Sequence, residues 1–478
     1  MTTHVYDRQY IDGAWSASQG TDFIEVHAPN SGQLAARVNG GHEGDVERAV
    51  QAARRAFDGW SERPLAQRVQ GLQRWQAALT ERQGALAQAI AQEVGTPLKI
   101  SQIVQVDAPI RNITNFIDCA LALRWSSPLA HSELVREPYG VVACITPWNF
   151  PLHQIVLKLV PALLAGNTVV LKPSELTPRT TQLVCEALHD AGLPDGVVNV
   201  VNGLGTVVGT PLAASAFVDM VSFTGSTAAG RAVTALAAQT IKKVATELGG
   251  KSPTVVLPGA DLPRAIKASV ASCMLNNGQT CSALTRLLVP QAQRDEVQAL
   301  IRQELARLTV GASVDAASRI GPLISRRQMQ GVNALVDEGV AQGAQAIHTP
   351  ATLPADGFFV APQAYWVTPA NPLFRQEVFG PVLSVSTYGD EAEAVRLAND
   401  TVYGLAAAVW GEPDAARAVA GRIRAGQVDI NGARFNPLAP FGGYKQSGVG
   451  REAGLFGLEE FMQTKSIQMN PPVAQGAA

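Results

Sequence analysis

From residue 140 onward, short runs of consecutive apolar, β-branched residues alternate with longer runs in which apolar residues recur every three or four positions. "GVVACI" (140–145) predicts a strand, "HQIVLKLVPALLAG" (153–166) a helix ending at glycine, and "NTVVLK" (167–172) a second strand. "TPRTTQLVCEALHDAG" (177–192) predicts a helix with Thr177 as N-cap, Pro178 in its first turn and Gly192 at its end. "VVNVV" (197–201), "VDMVSF" (218–223) and "IKKVATEL" (241–248) predict further strands. Strands that are apolar on both faces and separated by helices define a parallel, doubly wound sheet. A second alternation starts at Ser252: strand "SPTVVL", helix "DLPRAIKASVASCML", strand "SALTRLLVP", then the periodic helix "QRDEVQALIRQELARL" (293–308). The fold class expected is therefore α/β, with two doubly wound units. The segment 126–140, "SSPLAHSELVREPYG", reads as an excursion from the main body, and the Ala/Pro/Gly tail from Pro471 is expected to fray.

Composition narrows the class. At 478 residues the chain exceeds what one core usually holds. Charged residues are 16%, against about 25% in ordinary proteins, which implies a large buried volume or subunit interface. A net charge of −2 without a basic stripe argues against nucleic acid as partner. "MTTHVYDRQY" has no apolar core of a secretory signal. The most apolar region, 141–171, is broken by Pro147, Asn149, Pro151, Lys158 and Pro161, so no membrane span is expected. Five cysteines without a CxxC pair suit reduced thiols and a cytoplasmic location. The seven histidines form no ligand cluster, so no metal is expected.

Several short motifs carry candidate chemistry, and each has a plain structural alternative. "NGLGTVVG" (202–209), with Gly205 and Gly209, follows a strand but is one residue too long for the dinucleotide fingerprint. "SFTGSTAAG" follows a strand and opens a helix, where backbone amides favour an anion near Gly225 and Ser226. A glycine turn with a Ser/Thr cap explains it equally. "LKPSE" puts Lys172 and Glu175 at a strand's carboxyl end, where open α/β sheets bind ligands, or simply in a solvated loop. Asn149 in "TPWNFP" is either an oxyanion donor on a rigid loop or a turn asparagine. Glu247 closes an apolar strand before two glycines. A partly desolvated carboxylate there has a raised pKa suited to a general base, unless it lies on the surface. Cys281 sits between a helix and a strand, where free backbone N–H groups favour a thiolate, although most such cysteines are packing residues. Cys273, on the preceding helix, reads as packing.

Together the motifs resemble the aldehyde dehydrogenase superfamily: "PWNFP", "LKPSE", "FTGST", "ELGGKSP", "NNGQTCSA" (276–283), "EVFGPV" (377–382) and "PFGGYKQSGVGREAG" (440–454), in the family's order. "YIDGAW" (10–15) is similar to its opening hairpin. The resemblance implies two Rossmann-like α/β domains and a small β oligomerisation ribbon. The cofactor domain spans 1–119 and 140–248, the catalytic domain 249–447, and bridging segments 120–139 and 448–478. The excursion and the C-terminal "FMQTKSIQM" are expected to pair across subunits of a homodimer or homotetramer.

By the same resemblance, Cys281 is the nucleophile, Glu247 the water-activating base, and Asn149 with the Cys281 N–H the oxyanion hole. Lys158 either joins a proton relay or packs. NAD, with NADP a possibility, would lie along Ile145, Thr146, Pro147, Trp148, Lys172, Ser174, Glu175, Gly205, Gly209, Phe223, Thr224, Gly225, Ser226, Leu248, Gly249, Glu377 and Phe379. Glu175 favours NAD, because a carboxylate repels a 2′-phosphate. Glu247 also argues for thioester hydrolysis over transfer to coenzyme A. The aldehyde pocket would take Phe150, Gln154, Leu157, Thr280, Ser282, Arg434 and Phe441. Leu157 stands where some members carry a bulky aromatic, implying a wider tunnel. Arg434 would greet an acidic semialdehyde or lie on the rim.

Overall fold

The computed structural model describes residues 3–348 and 351–470; the tail from Pro471 lies outside the described residues. Two large sheets organise the chain. In the first, Lys243–Glu247, Met220–Thr224, Val141–Ile145, Thr168–Lys172 and Val198–Val200 run parallel in that spatial order. The hairpin Arg8–Ile11/Ala14–Ala17 extends one edge. Asp12 (φ 55°) and Gly13 (φ 74°) turn that hairpin left-handed at both central positions, as a two-residue loop requires. In the second sheet Gln363–Trp366, Val382–Tyr388, Arg286–Pro290, Pro253–Val256, Ala406–Trp410 and Gln427–Ile430 are parallel, and the short Gln345–Ala346 is antiparallel at one edge.

The apolar strand runs are explained by cover on both faces. In Val141–Ile145, residues Val142 and Cys144 join a core with the helices Leu65–Glu81, Ala108–Ala122 and Pro151–Ala165. Val141, Ala143 and Ile145 join another core, against the helix Glu43–Ser61, on the opposite face. The second sheet alternates in the same way: Val255, Leu288 and Val409 face one side, Val256, Leu287 and Val289 the other.

Three local outcomes differ from the sequence reading. Thr177 occupies the N-cap position of the helix Pro178–Asp190, but its side chain does not cap. The Glu93 carboxylate does so instead, accepting from the Arg179 and Thr180 N–H groups and the Thr180 hydroxyl. Three acceptor contacts from a charged group outcompete one hydroxyl at a helix N-terminus. Second, Met462–Gln468 pairs antiparallel with Ser132–Pro138 of the same chain, a partner within the chain that the sequence reading had not given it. With Ser126–Leu129 they form a separate three-stranded ribbon. Third, Gly448–Val449, read as part of the C-terminal bridging segment, instead closes the first sheet beside Lys243–Glu247.

Candidate active site

The carboxyl ends of the first sheet face the loop that follows the helix Leu262–Met274 of the second. That loop is held open by backbone shape. Asn276 (φ 52°), Asn277 (φ 59°) and Gly278 (φ 76°) are consecutively left-handed, a conformation that asparagine and glycine tolerate best. A Cβ on Gly278 would lie 2.1 Å from the Gly380 carbonyl carbon, so only glycine fits. The amide side chains of the run are all buried and engaged. Asn276 Nδ2 donates to the Asn149 carbonyl (2.9 Å), and Asn277 Nδ2 to the carbonyls of Gly95 and Pro322 (2.9 Å each). Gln279 Oε1 accepts from the Ile324 N–H at 3.0 Å. The sequence reading quoted this run but gave these three residues no task. Their task is to fix the chain that delivers Cys281.

Asn149 Nδ2 donates to the Gln279 carbonyl at 3.0 Å. An amide nitrogen carries two N–H groups, so one bond fixes its orientation and leaves the other for a ligand. The Cys281 thiol is half-buried. Burial pushes its pKa up, Glu247, Glu377 and Glu452 add to the rise, and one Ser282 N–H contact opposes them. The sequence reading favoured a thiolate held by backbone amides. In the structure burial, then the neighbouring Glu247, Glu377 and Glu452, push the thiol's pKa up, and that amide alone pulls the other way.

Glu247 ends the strand Lys243–Glu247 and is 5% exposed, with neither carboxylate oxygen hydrogen-bonded. Burial, then Glu452, holds its pKa well above the usual carboxylate range, with Lys158 and Arg451 pulling the other way. Lys158, from the helix Pro151–Ala165, bonds Glu452 at 2.6 Å in a nearly dry pair. Glu452 is a residue the sequence reading missed, although it lies inside the quoted "GREAG". Its only signal there was a charge in a glycine-rich stretch. Lys251 was missed too: it is 1% exposed, its Nζ has no partner, and burial lowers its pKa to about 7.

The cofactor candidates fall at and beyond the carboxyl ends of the first sheet's strands, with Glu377 and Phe379 ahead of the strand Val382–Tyr388 of the second. Lys172 Nζ meets Glu175 Oε2 at 3.1 Å and the Pro173 carbonyl at 2.9 Å. Ser174 accepts from the Leu176 N–H and shapes that turn. Ser226 caps the helix Thr227–Ala238, and Gly225 donates its N–H to the Glu247 carbonyl. Ile145 is buried, while Pro147 is half-buried. Trp148 meets Phe379 edge to face, centroids 5.3 Å apart. Glu377 Oε1 accepts from the Gly250 N–H (2.9 Å), and burial pushes its pKa up to about 7. A Cβ on Gly249 would collide with Glu377, one on Gly225 with Phe223, and one on Gly230 with Leu248. Gly205 and Gly209 have open space around them. A cleft of about 680 Å³ joins Ser226, Thr227, Glu377 and Tyr403. The hydroxyls of Thr146 and Thr224, at two strand ends, are buried without partners.

Of the aldehyde-pocket candidates, Thr280 and Ser282 flank Cys281 in the chain and are half-buried, as are Phe150 and Phe441, the latter packed against the first core. Gln154 is buried, and Leu157 is packed into the first core. Arg434 is exposed and forms no ion pair among the described residues.

A free thiol and an unpaired, buried carboxylate, in a chain of two doubly wound sheets, are groups suited to covalent catalysis. The aldehyde dehydrogenase family model matches residues 15–467, and the chain belongs to that family, whose reaction is oxidation at the aldehyde carbon. It is 43% identical over 470 residues to 3-succinoylsemialdehyde-pyridine dehydrogenase of a Pseudomonas species, covering 97% of this chain and 98% of that one. It superposes with TM-score 0.96 on a mutant aldehyde dehydrogenase C of Pseudomonas syringae in complex with NAD+ and octanal, at 43% identity, covering 98% and 97% of the two chains. The Mycobacterium tuberculosis aldehyde dehydrogenase in complex with NAD+ matches with TM-score 0.95 at 37% identity, covering 99% and 100%. The α/β class and the family resemblance read from the motifs are thereby borne out. Among the described residues no helix is long and apolar enough to cross a membrane.

Proposed function

We propose that the protein oxidises a small-molecule aldehyde to its carboxylic acid with NAD, through a covalent cysteine intermediate. The observation that carries this reading is Glu247: a buried carboxylate with both oxygens unpaired, placed to influence the Cys281 thiol. The residues present fit a dinucleotide. The Thr146 and Thr224 hydroxyls are left without protein partners, and the capped helix N-terminus at Ser226 offers backbone amides to an anion. Lys172 and Glu175 would hold one ribose and Glu377 the other. When bound, NAD accepts the hydride that leaves the aldehyde carbon.

The chain's own groups perform the rest. Cys281 gives its proton to the ionised Glu247, which releases it to solvent, and the sulfur attacks the aldehyde carbon, giving a thiohemiacetal whose oxyanion is met by Asn149 Nδ2 and the Cys281 N–H. Departure of hydride leaves a thioester on Cys281. Glu247 takes a proton from water, whose oxygen adds to the thioester carbon and expels the thiolate, releasing the acid. Lys158 and Glu452 tune that base. We assign the cofactor to 1–119 and 140–248, the chemistry to 249–447 together with Glu452, and subunit contacts to 120–139 and the strand Met462–Gln468, in a cytoplasmic homodimer or homotetramer. NADH formation with an aldehyde panel tests the reading. Cys281→Ala abolishes turnover while NAD binding persists; unchanged turnover overturns it.

A further inference from the structure

Two parts of the site that lie far apart in sequence are gripped by one short segment, Glu93–Thr96. The helix Pro178–Asp190 begins three residues after Glu175, at the end of the turn that carries Lys172, Ser174 and Glu175. Proline has no N–H, so the first free donors of that helix are those of Arg179 and Thr180. Glu93 accepts from both, Oε1 from Arg179 at 2.5 Å and Oε2 from Thr180 at 3.0 Å, and Oε2 also takes the Thr180 hydroxyl at 2.7 Å. The turn is therefore closed from outside, by the end of the helix Gln83–Val94.

Two residues further on, the same segment holds the nucleophile loop. The Gly95 carbonyl accepts from Asn277 Nδ2 at 2.9 Å. The Thr96 hydroxyl donates to Asn276 Oδ1 and accepts from Gln105 Nε2 at 2.8 Å. Thr96, Gln105, Asn276 and Asn277 are all buried. Gly95 cannot swing aside: it is left-handed at φ 85°, and a Cβ there would lie 2.2 Å from the Pro322 carbonyl oxygen. A close-packed segment transmits a displacement instead of absorbing it. We propose that Glu93 is a positioning residue, and that Glu93–Thr96 holds the cofactor-side turn and the Cys281 loop in one fixed relation, so that releasing either end weakens cofactor binding. This rests on the reading of Lys172 and Glu175 as ribose-binding residues.

The test is fluorescence titration of NADH into wild type, Glu93→Gln, Thr96→Val and the double variant. The dissociation constant is set by the folded sites alone, so partial misfolding does not move it. Glu93→Gln sets an amide donor against one of the N–H groups. Thr96→Val keeps the side-chain shape and removes a hydroxyl that bonds no cofactor candidate. Each substitution is expected to raise Kd for NADH by about 3–10-fold. In the double variant the two factors should not multiply, because both release the same segment. Wild-type affinity in Thr96→Val, or factors that multiply in the double variant, overturns the inference. Glu175→Gln that leaves Kd unchanged overturns instead the ribose reading beneath it.

Discussion

Replacing Gly278 by alanine tests how tightly the nucleophile loop is held. The added Cβ would lie 2.1 Å from the carbonyl carbon and oxygen of Gly380 and 2.6 Å from the Pro381 nitrogen. Ordinary contact begins near 3.4 Å, so the two backbones must separate by about 1.3 Å, and no flexible side chain can absorb it. The φ of 76° adds a strain of about 1–2 kcal/mol for a residue with a Cβ. Gly278 is three residues from Cys281, so much of that displacement reaches the thiol. A shift of about 1 Å at a reacting group costs on the order of 100-fold in rate. The control is Gly343→Ala, whose φ is 90° but whose Cβ meets nothing within 4 Å. It carries the backbone strain without the collision. Steady-state kcat/KM and thermal unfolding of both variants are the assays. Gly278→Ala should lose about 100-fold in kcat/KM, and Gly343→Ala should lose stability only. Equal kcat/KM in the two variants would refute the argument that close backbone approach positions Cys281.

Two further outcomes follow from charge. Glu247 works as a base only when ionised, so turnover rises with pH through its raised pKa. Glu452 is the largest charge raising that value. Glu452→Gln should move the acid limb of the kcat–pH profile to lower pH, and a limb that stays put with only a smaller kcat would contradict the coupling. Glu175→Gln should raise KM for NAD by about tenfold or more, the worth of a charged hydrogen bond, and lower KM for NADP. Unaltered cofactor preference would remove Glu175 from the ribose site.

What was legible in the sequence was whatever depends on neighbours along the chain. Val141–Ile145 reads as a two-face-buried strand because five consecutive residues have no polar side. Glu247 reads as partly desolvated because it ends a predicted strand just before two glycines. What depends on distant partners was not legible. Glu93 reaches the helix at Pro178 from 86 residues away in the Arg179 contact, so local propensity pointed to Thr177 instead. Lys158 and Glu452 are 294 residues apart, and neither stretch signals the other. Nor was it legible that Glu247, Glu377 and Glu452, from three separate segments, all bear on the Cys281 thiol.

The amide bonds around the thiol loop bear on how the enzyme moves. Asn276 and Asn277 tie a loop of the second sheet to Asn149, Gly95, Thr96 and Gln105, all from the first half of the chain. With the Asn149–Gln279 bond, five buried hydrogen bonds cross that seam. Parting the sheets would leave their atoms unsatisfied, at about 1–3 kcal/mol each. A clamshell motion is therefore too costly to accompany every turnover. The two sheets stay joined along this seam from one turnover to the next.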